Sequence, residues 1–156
     1  MRRVVAAVAA LAILAAVNVT IALREAILAN GRVVLLELAP VDPRSLMQGD
    51  YMALRFRIAN EAFPGKTIAP DGHLVVAADA DGVAKFVRID DGASLAPGEV
   101  RLRYRWRDGL KFATNAYFFE EGTASRYNGA RYGEFRVSDD GEMILTGLRG
   151  ASRNPL

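Results

Sequence analysis

A long uncharged stretch constrains this chain more than any other feature of its sequence. Val4 to Leu23 contains 20 residues without a charged side chain, and only Asn18 and Thr20 interrupt its aliphatic composition. As an α-helix it would be about 30 Å long, which matches the hydrocarbon thickness of a bilayer. The stretch therefore predicts one membrane-spanning helix, with residues 1–31 as the anchor and residues 32–156 as a single extracytoplasmic domain.

The charges that flank this stretch predict its orientation. Arg2 and Arg3 precede it, and the positive-inside bias keeps that end in the cytoplasm. Arg24 follows the stretch and weakens this bias, but the acidic residue Glu25 comes directly after it. We expect a single-pass protein of the inner membrane with its C-terminal domain in the periplasm. The alternative is a cleaved signal peptide, although the small-x-small patterns at residues 7–12 lie too early in the apolar run to follow a complete apolar region.

The charge balance argues against a nucleic-acid partner. The isoelectric point is about 9.1, yet without Arg2 and Arg3 the 20 basic residues fall to 18, against 18 acidic ones. A neutral domain has no basic surplus to neutralise phosphates. The chain has no cysteine, and His73 is its only histidine, so thiolate sites and zinc sites built on histidines are excluded. We expect neither a metal nor a cofactor.

After Gly31 the hydrophobic pattern changes to a period of two, which is typical of strands. Asp-Gly pairs at 81–82, 108–109 and 140–141 indicate hairpins. Three-residue loops ending at these glycines would pair Val76 with Phe86, Trp106 with Leu110, Tyr104 with Phe112, Val137 with Met143 and Phe135 with Leu145. The prediction is a mainly β fold, an antiparallel sandwich or partly open barrel of about eight strands.

Individual strands follow from the same alternation. We predict strands at Val33 to Leu38, Tyr51 to Ile58, Val100 to Arg107 and Leu110 to Phe118, and a short helix between Thr123 and Tyr132. In the third of these strands the apolar residues, Trp106 among them, face the core. Its other face carries only arginines: Arg101, Arg103, Arg105 and Arg107. Facing acids, solvent or an anionic surface would each relieve their repulsion.

The segment from Asp42 to Phe56 joins two predicted strands by a turn far longer than the others. Pro43 fixes its own φ, and Gly49 permits conformations that other residues avoid. Asp42 and Asp50 can accept hydrogen bonds from turn amides. A loop that bonds to itself and a loop that contacts a partner both fit these residue types.

This segment resembles a family of bacterial membrane-anchored proteins named after a GDYXXXLXY signature. The residues that carry the resemblance are Gly49, Asp50, Tyr51, Leu54 and Phe56, preceded by Asp42, Pro43 and Arg44 and followed much later by Glu120, Glu121 and Gly122. The spacing between the tyrosine and the leucine is one residue shorter than that name implies, and phenylalanine replaces the final tyrosine. The resemblance implies an extracytoplasmic domain without an evident enzymatic activity, whose relatives resemble partners of neighbouring multi-spanning membrane proteins.

Three functions remain open at this stage. The leading one is an accessory protein that docks to a polytopic membrane protein, with Arg44 and Asp50 fixing the loop and Tyr51 offering an aromatic contact. The second is a lipid- or envelope-glycan-binding module that uses the arginine face. The third is a hydrolase similar to type I signal peptidases. Its nucleophile position is occupied by Val41, so it would need Ser45 beside Lys66, Lys85 or Lys111.

Overall fold

The computed structural model describes residues 1–39, 47–48, 51–63, 69–107 and 109–156. The first element, α1, is the helix Arg2–Asn30, and none of its residues is buried. By length and composition it can cross a membrane, which agrees with the predicted anchor. The rest of the described chain is mainly β, as expected.

Ten strands form three antiparallel sheets in the described part of the chain. The first sheet has the order β1-β9-β10, the second β2-β3-β8 and the third β5-β4-β6-β7. The strands are β1 Arg32–Glu37, β2 Met47–Gln48, β3 Tyr51–Ala53, β4 Asp71–Ala78, β5 Ala84–Ile89, β6 Glu99–Trp106, β7 Leu110–Lys111, β8 Ala116–Phe118, β9 Ala130–Val137 and β10 Met143–Gly150. Helix α2 spans Arg57–Ala62, and a 3-10 helix spans Ala124–Tyr127 within the segment where a short helix was predicted.

The predicted hairpin registers are largely confirmed. Val76 pairs with Phe86, Trp106 with Leu110, Val137 with Met143 and Phe135 with Leu145. Gly82 and Gly141 have φ values of 79° and 87°, the left-handed conformation that ends such loops. The ladder between β6 and β7 stops at the pair Arg105 and Lys111, so the predicted pairing of Tyr104 with Phe112 does not form.

The predicted strand from Tyr51 to Ile58 is wrong in its second half. The strand ends at Ala53, Phe56 makes an isolated bridge to Leu38, and α2 begins at Arg57. An ion pair of 3.5 Å between Arg57 and Glu61, one helical turn apart, favours the helix. The predicted strand and the observed helix both place Ile58 in the core. The alternation of apolar residues therefore did not reveal the change from strand to helix.

The predicted strand from Leu110 to Phe118 is broken in the middle. The Thr114 hydroxyl bonds to the backbone of Ala116, and the Asn115 amide donates to the Leu110 carbonyl at 3.1 Å. These side chains compete with the ladder for backbone groups and turn the chain. As a result β8 leaves the sheet of β7 and pairs with β3 instead.

Buried side chains from all three sheets and from α2 form one core. Val100, Leu102 and Tyr104 of β6 lie in it as predicted. Trp106 does not, because it lies at the end of the strand and 41% of its surface is exposed. The core therefore covers most of β6 but stops short of its last residue.

Helix α1 meets the β domain at Gly31. The Gly31 amide donates to the Ile27 carbonyl at 2.8 Å, and the Arg136 guanidinium donates to the Gly31 carbonyl at 3.0 Å. A Cβ atom at residue 31 would lie 2.4 Å from the Ile27 oxygen. Glycine is therefore required here by the close approach of backbone atoms.

Candidate docking surface

The signature residues separate into a buried part and a surface part. Leu54 is 2% exposed and Phe56 is 3% exposed. The Phe56 ring lies edge-on to Phe112 and Phe135, with centroid distances of 5.7 and 5.6 Å. These two signature positions therefore hold the core together and offer nothing to a partner.

Tyr51 lies at the other end of the same segment and reaches the surface. It pairs with Phe118 across β3 and β8, and the two rings are 5.7 Å apart at an interplanar angle of 40°. Phe118 is 73% exposed, the largest value for any big apolar side chain among the described residues of 31–156. We call the pair Tyr51 and Phe118 the aromatic patch.

A second group of rings supports β8 from the other side. Tyr117 and Phe119 each lie 5.2 Å from Tyr127, the first edge-on and the second stacked. The Arg126 guanidinium lies 5.9 Å from the Tyr127 ring. Burial, and then a hydrogen bond with Tyr127, raise the pKa of the Tyr117 hydroxyl. The alternation of residues 117, 118 and 119 thus packs two rings inward and leaves Phe118 outside.

Glu120, Glu121 and Gly122 follow β8 after one residue, Phe119, and form a turn. The Glu120 carbonyl accepts hydrogen bonds from the backbone amide of Thr123 at 3.1 Å and from its hydroxyl at 2.6 Å. Gly122 has a φ of 80°. Both glutamates are exposed, and neither pairs with Arg126 or Arg131 among the described residues. The predicted motif therefore begins two residues after Phe118, which pairs with Tyr51.

The predicted arginine face is opposed by acids along most of its length. Arg101 donates to Asp90 at 2.8 Å and to the Ala93 carbonyl at 2.9 Å. Arg103 forms an ion pair with Glu142, Arg105 lies 3.9 Å from Asp71, and Arg107 makes no ion pair in the part of the chain that the structure describes. The sequence left open whether facing acids, solvent or an anionic surface relieves the repulsion between these arginines. Facing acids relieve it along most of the strand.

The acids opposite these arginines have altered pKa values. Burial alone would raise the pKa of Glu142, but hydrogen bonds from Arg103 and Arg24 outweigh it and lower the pKa. For Asp90, burial is likewise the largest effect, and the hydrogen bonds from Arg101 and Gly92 overcome it. These carboxylates are held in the charged form, so Arg101 and Arg103 are neutralised from within the domain.

Several predicted residues lie outside the described part of the chain. These are Asp42, Pro43, Arg44, Gly49 and Asp50 of the signature segment, together with Ser45 and Lys66 of the hydrolase hypothesis. Lys85 lies 3.8 Å from Asp79 on the surface, and Lys111 is exposed. Within the described ranges, no group of three His, Asp or Glu side chains is placed to hold a metal ion.

A family model described as GDYXXLXY protein matches residues 13–148. The chain belongs to this family. The description names a sequence signature and no activity. No curated protein matches the chain, and no solved structure matches it.

The family signature corrects one sequence expectation. It has two positions between its tyrosine and its leucine, and Met52 and Ala53 fill the same two positions between Tyr51 and Leu54. The expected departure in spacing was therefore wrong. The replacement of the final tyrosine by Phe56 remains, and the ring packing around Phe56 suits a side chain without a hydroxyl.

The sequence indicated Tyr51 as an aromatic contact, but it predicted Phe118 only as the last residue of a long strand from Leu110 and gave it no role at the surface. The available signal was the Thr114-Asn115 pair, because both residue types bond to nearby backbone and interrupt strands. A break there would have detached β8 from β7. The pairing of β8 with β3 has no local sequence signal.

Proposed function

We propose that this protein is a membrane-anchored accessory protein whose β domain docks to a polytopic membrane protein through the aromatic patch and the adjacent Glu120–Gly122 turn. The observation that carries the proposal is the exposure of Phe118, 73%, beside Tyr51 of the family signature. Aromatic side chains of this kind are the usual energetic centres of protein interfaces. The exposed glutamates beside the patch form a polar rim.

The strand that carries Phe118 also supports a docking role. β8 pairs with β3 on one side and has no second partner strand among the described residues. Along its outer edge the backbone amide and carbonyl of Ala116 bond to the Thr114 hydroxyl, so a strand from a partner would be added at Phe118. Rings on the inner side hold β8 in place. A supported edge beside an exposed ring suits a preformed contact surface.

The proposal also assigns a location. Helix α1 remains as the anchor, the N-terminus lies in the cytoplasm, and the β domain lies on the other side of the inner membrane. Support comes from the uncharged span Val4 to Leu23 and from Arg2 and Arg3 before it. The aromatic patch would then meet a part of a neighbouring membrane protein that lies on the same side of the membrane.

Co-purification tests the docking. We would co-express the tagged full chain with any multi-spanning membrane protein that a neighbouring gene encodes, extract both in mild detergent and measure the stoichiometry. We expect a stable complex with the unaltered chain and at least a ten-fold loss of affinity for Phe118→Ala and Tyr51→Ala, as for hot-spot residues. Isolation of the chain as a lone monomer under all conditions would sink the proposal.

Trp106→Ala is the matched control. Trp106 is also an exposed aromatic residue at a strand end, but it lies in the sheet of β4 and β6, which does not include the aromatic patch. This variant should keep the complex. Equal losses for Trp106→Ala and Phe118→Ala would show that exposed apolar area, and not this surface, mediates the association.

The absence of cysteine allows a clean test of location. Glu121→Cys would place one thiol in the turn beside the patch, and Arg3→Cys one thiol before the anchor. A membrane-impermeant maleimide added to intact spheroplasts should label residue 121 and not residue 3. The reverse labelling would overturn the orientation. A mass of the mature chain that corresponds to a new N-terminus near Gly31 would overturn the anchor.

The two other functions have weaker support. Binding of lipid or glycan by the arginine face as a whole is disfavoured because Asp90 and Glu142 neutralise its centre. A Ser/Lys hydrolase stands only if Ser45→Ala abolishes a measurable hydrolysis.

A further inference from the structure

A cavity of about 550 Å³ lies between the end of α1 and the β9–β10 hairpin. Its volume falls in the range of small-molecule sites, about 300–1,000 Å³. Thr20, Leu23 and Ile27 line it from one stripe of the helix, while Ser138 and Glu142 line it from the hairpin. The cavity therefore has an apolar wall from the helix and a polar wall from the β domain.

The position of the cavity along α1 sets its depth relative to a membrane. Leu23 is the last residue of the uncharged span, and Arg24 follows it. Residues on both sides of this boundary line the cavity. If the span fills the hydrocarbon layer, the cavity opens at the level of the lipid headgroups. A ligand there would have its apolar part against the helix and its polar part against the domain.

Four arginines surround the polar part: Arg24, Arg32, Arg103 and Arg105. Arg24 and Arg103 share a single carboxylate, Glu142, with 3.2 Å between Arg24 and its oxygen. Each guanidinium has five donors, so one carboxylate leaves most of them unused. Arg32 is exposed and makes no ion pair in the described ranges, and Arg105 reaches Asp71 only at 3.9 Å.

The opposing charges at the rim are Asp139 and Asp140. Asp140 is engaged by its own turn, where the Ser138 hydroxyl and the Glu142 amide donate to it. Asp139 is exposed. With Glu142 the cavity has three carboxylates against four arginines, and two of the carboxylates already accept hydrogen bonds from the protein. The unused hydrogen-bonding capacity is therefore mostly cationic.

We propose that this cavity binds the phosphate headgroup of an anionic phospholipid, with Arg32 and Arg105 as its principal ligands and Arg24 and Arg103 as the fixed floor. Guanidinium groups bind phosphate oxygens in a bidentate manner, which suits them to this ligand. A zwitterionic choline headgroup would bring a cation close to the four arginines and bind less well. The proposal requires α1 to stay attached, but it does not require docking to a polytopic partner.

Native mass spectrometry of the full chain from detergent micelles tests the proposal. The micelles would contain phosphatidylglycerol, phosphatidylcholine or inorganic phosphate alone, each titrated over the same concentrations. We expect one phosphatidylglycerol per chain, bound at least ten-fold more tightly than phosphatidylcholine, and no retained phosphate. The double variant Arg32→Gln/Arg105→Gln should bind phosphatidylglycerol at least ten-fold more weakly. The same spectra give the intact mass and so verify that α1 is present.

The matched control is Arg55→Gln/Arg131→Gln. It removes two exposed arginines that do not line the cavity and make no ion pair among the described residues, so the change in net charge is identical. This control should keep the lipid. Equal affinity for the two phospholipids, retention of phosphate alone, or equal losses in the two double variants would each overturn the proposal. An unchanged melting temperature in both variants confirms that they fold.

Discussion

The two ends of the signature segment lie in two different aromatic clusters. At one end Phe56 lies among Phe112 and Phe135 and is 3% exposed. At the other end Tyr51 lies beside Phe118, which is 73% exposed. Both clusters form where the signature segment meets the stretch from Phe112 to Phe118, and the turn at residues 113–115 lies between those two rings. One short motif thus contributes to folding at its end and to a surface at its start.

The largest expected effect is in the buried cluster. Phe56→Ala removes a ring that contacts two others in a closed core, and such truncations cost about 3–5 kcal/mol of unfolding free energy. Urea unfolding of the full chain in detergent, followed by the fluorescence of the only tryptophan, Trp106, measures the change. A cost below about 1 kcal/mol would mean that this end of the signature does not stabilise the fold.

The substitution Phe56→Tyr restores the tyrosine of the family signature and should have the next largest effect on the free energy of unfolding. The new hydroxyl would enter a site where the Phe56 ring also lies close to Gly133, since a Cβ there would be 3.2 Å from the ring. A buried hydroxyl without a partner costs about 1–3 kcal/mol. We expect that loss in the same unfolding assay. Equal or higher stability would show that the core holds an acceptor for the tyrosine hydroxyl.

Acidification should act elsewhere than on either cluster. Hydrogen bonding by Arg88 lowers the pKa of Glu99, and Arg103 and Arg24 overcome burial to lower that of Glu142. Both carboxylates have an ordinary pKa of 4.5, so the folded state binds fewer protons than the unfolded state below that value. Their contribution to the stability of the fold is present above about pH 4.5. It is lost as the pH falls through the lower pKa values that these groups have in the folded state.

Glu142→Gln isolates one part of this acid sensitivity. Because Arg103 is 43% exposed, we expect a loss of only about 1 kcal/mol at pH 7. The difference between the variant and the unaltered chain should shrink as the pH falls below 4.5, because the unaltered chain loses the same charge. A difference that stays constant from pH 7 to pH 3 would show that the carboxylate charge contributes nothing.

How far the sequence predicted this molecule depends on the range of the interactions. Hairpin registers depend on nearby residues and on glycines such as Gly82 and Gly141. The alternation of apolar residues predicted the registers at these two glycines correctly, but not the pairing of Tyr104 with Phe112. The helix α2 and the break before β8 were missed because a period of two and a helical turn both bury Ile58, and because Thr114 was treated as a strand residue.

The site was predictable only in part for the same reason. The signature identified Tyr51, but its ring partner is 67 positions away and becomes a neighbour only through the pairing of β3 with β8. The arginine face was visible in the sequence, while its partners, Asp90 and Glu142, belong to segments that the alternation does not connect. Contacts between distant segments therefore decide that Arg101 and Arg103 are neutralised while the aromatic patch stays exposed.

The smallest expected effect on stability is at the exposed cluster. Phe118→Ala should change the free energy of unfolding by no more than about 0.5 kcal/mol, because a side chain that is 73% exposed loses little contact when it is truncated. The urea assay used for Phe56→Ala measures it directly. A loss above about 2 kcal/mol would mean that Phe118 holds β8 against β3, and both clusters would then be structural. A stable Phe118→Ala chain that no longer binds a partner would instead place folding at one end of the signature and recognition at the other.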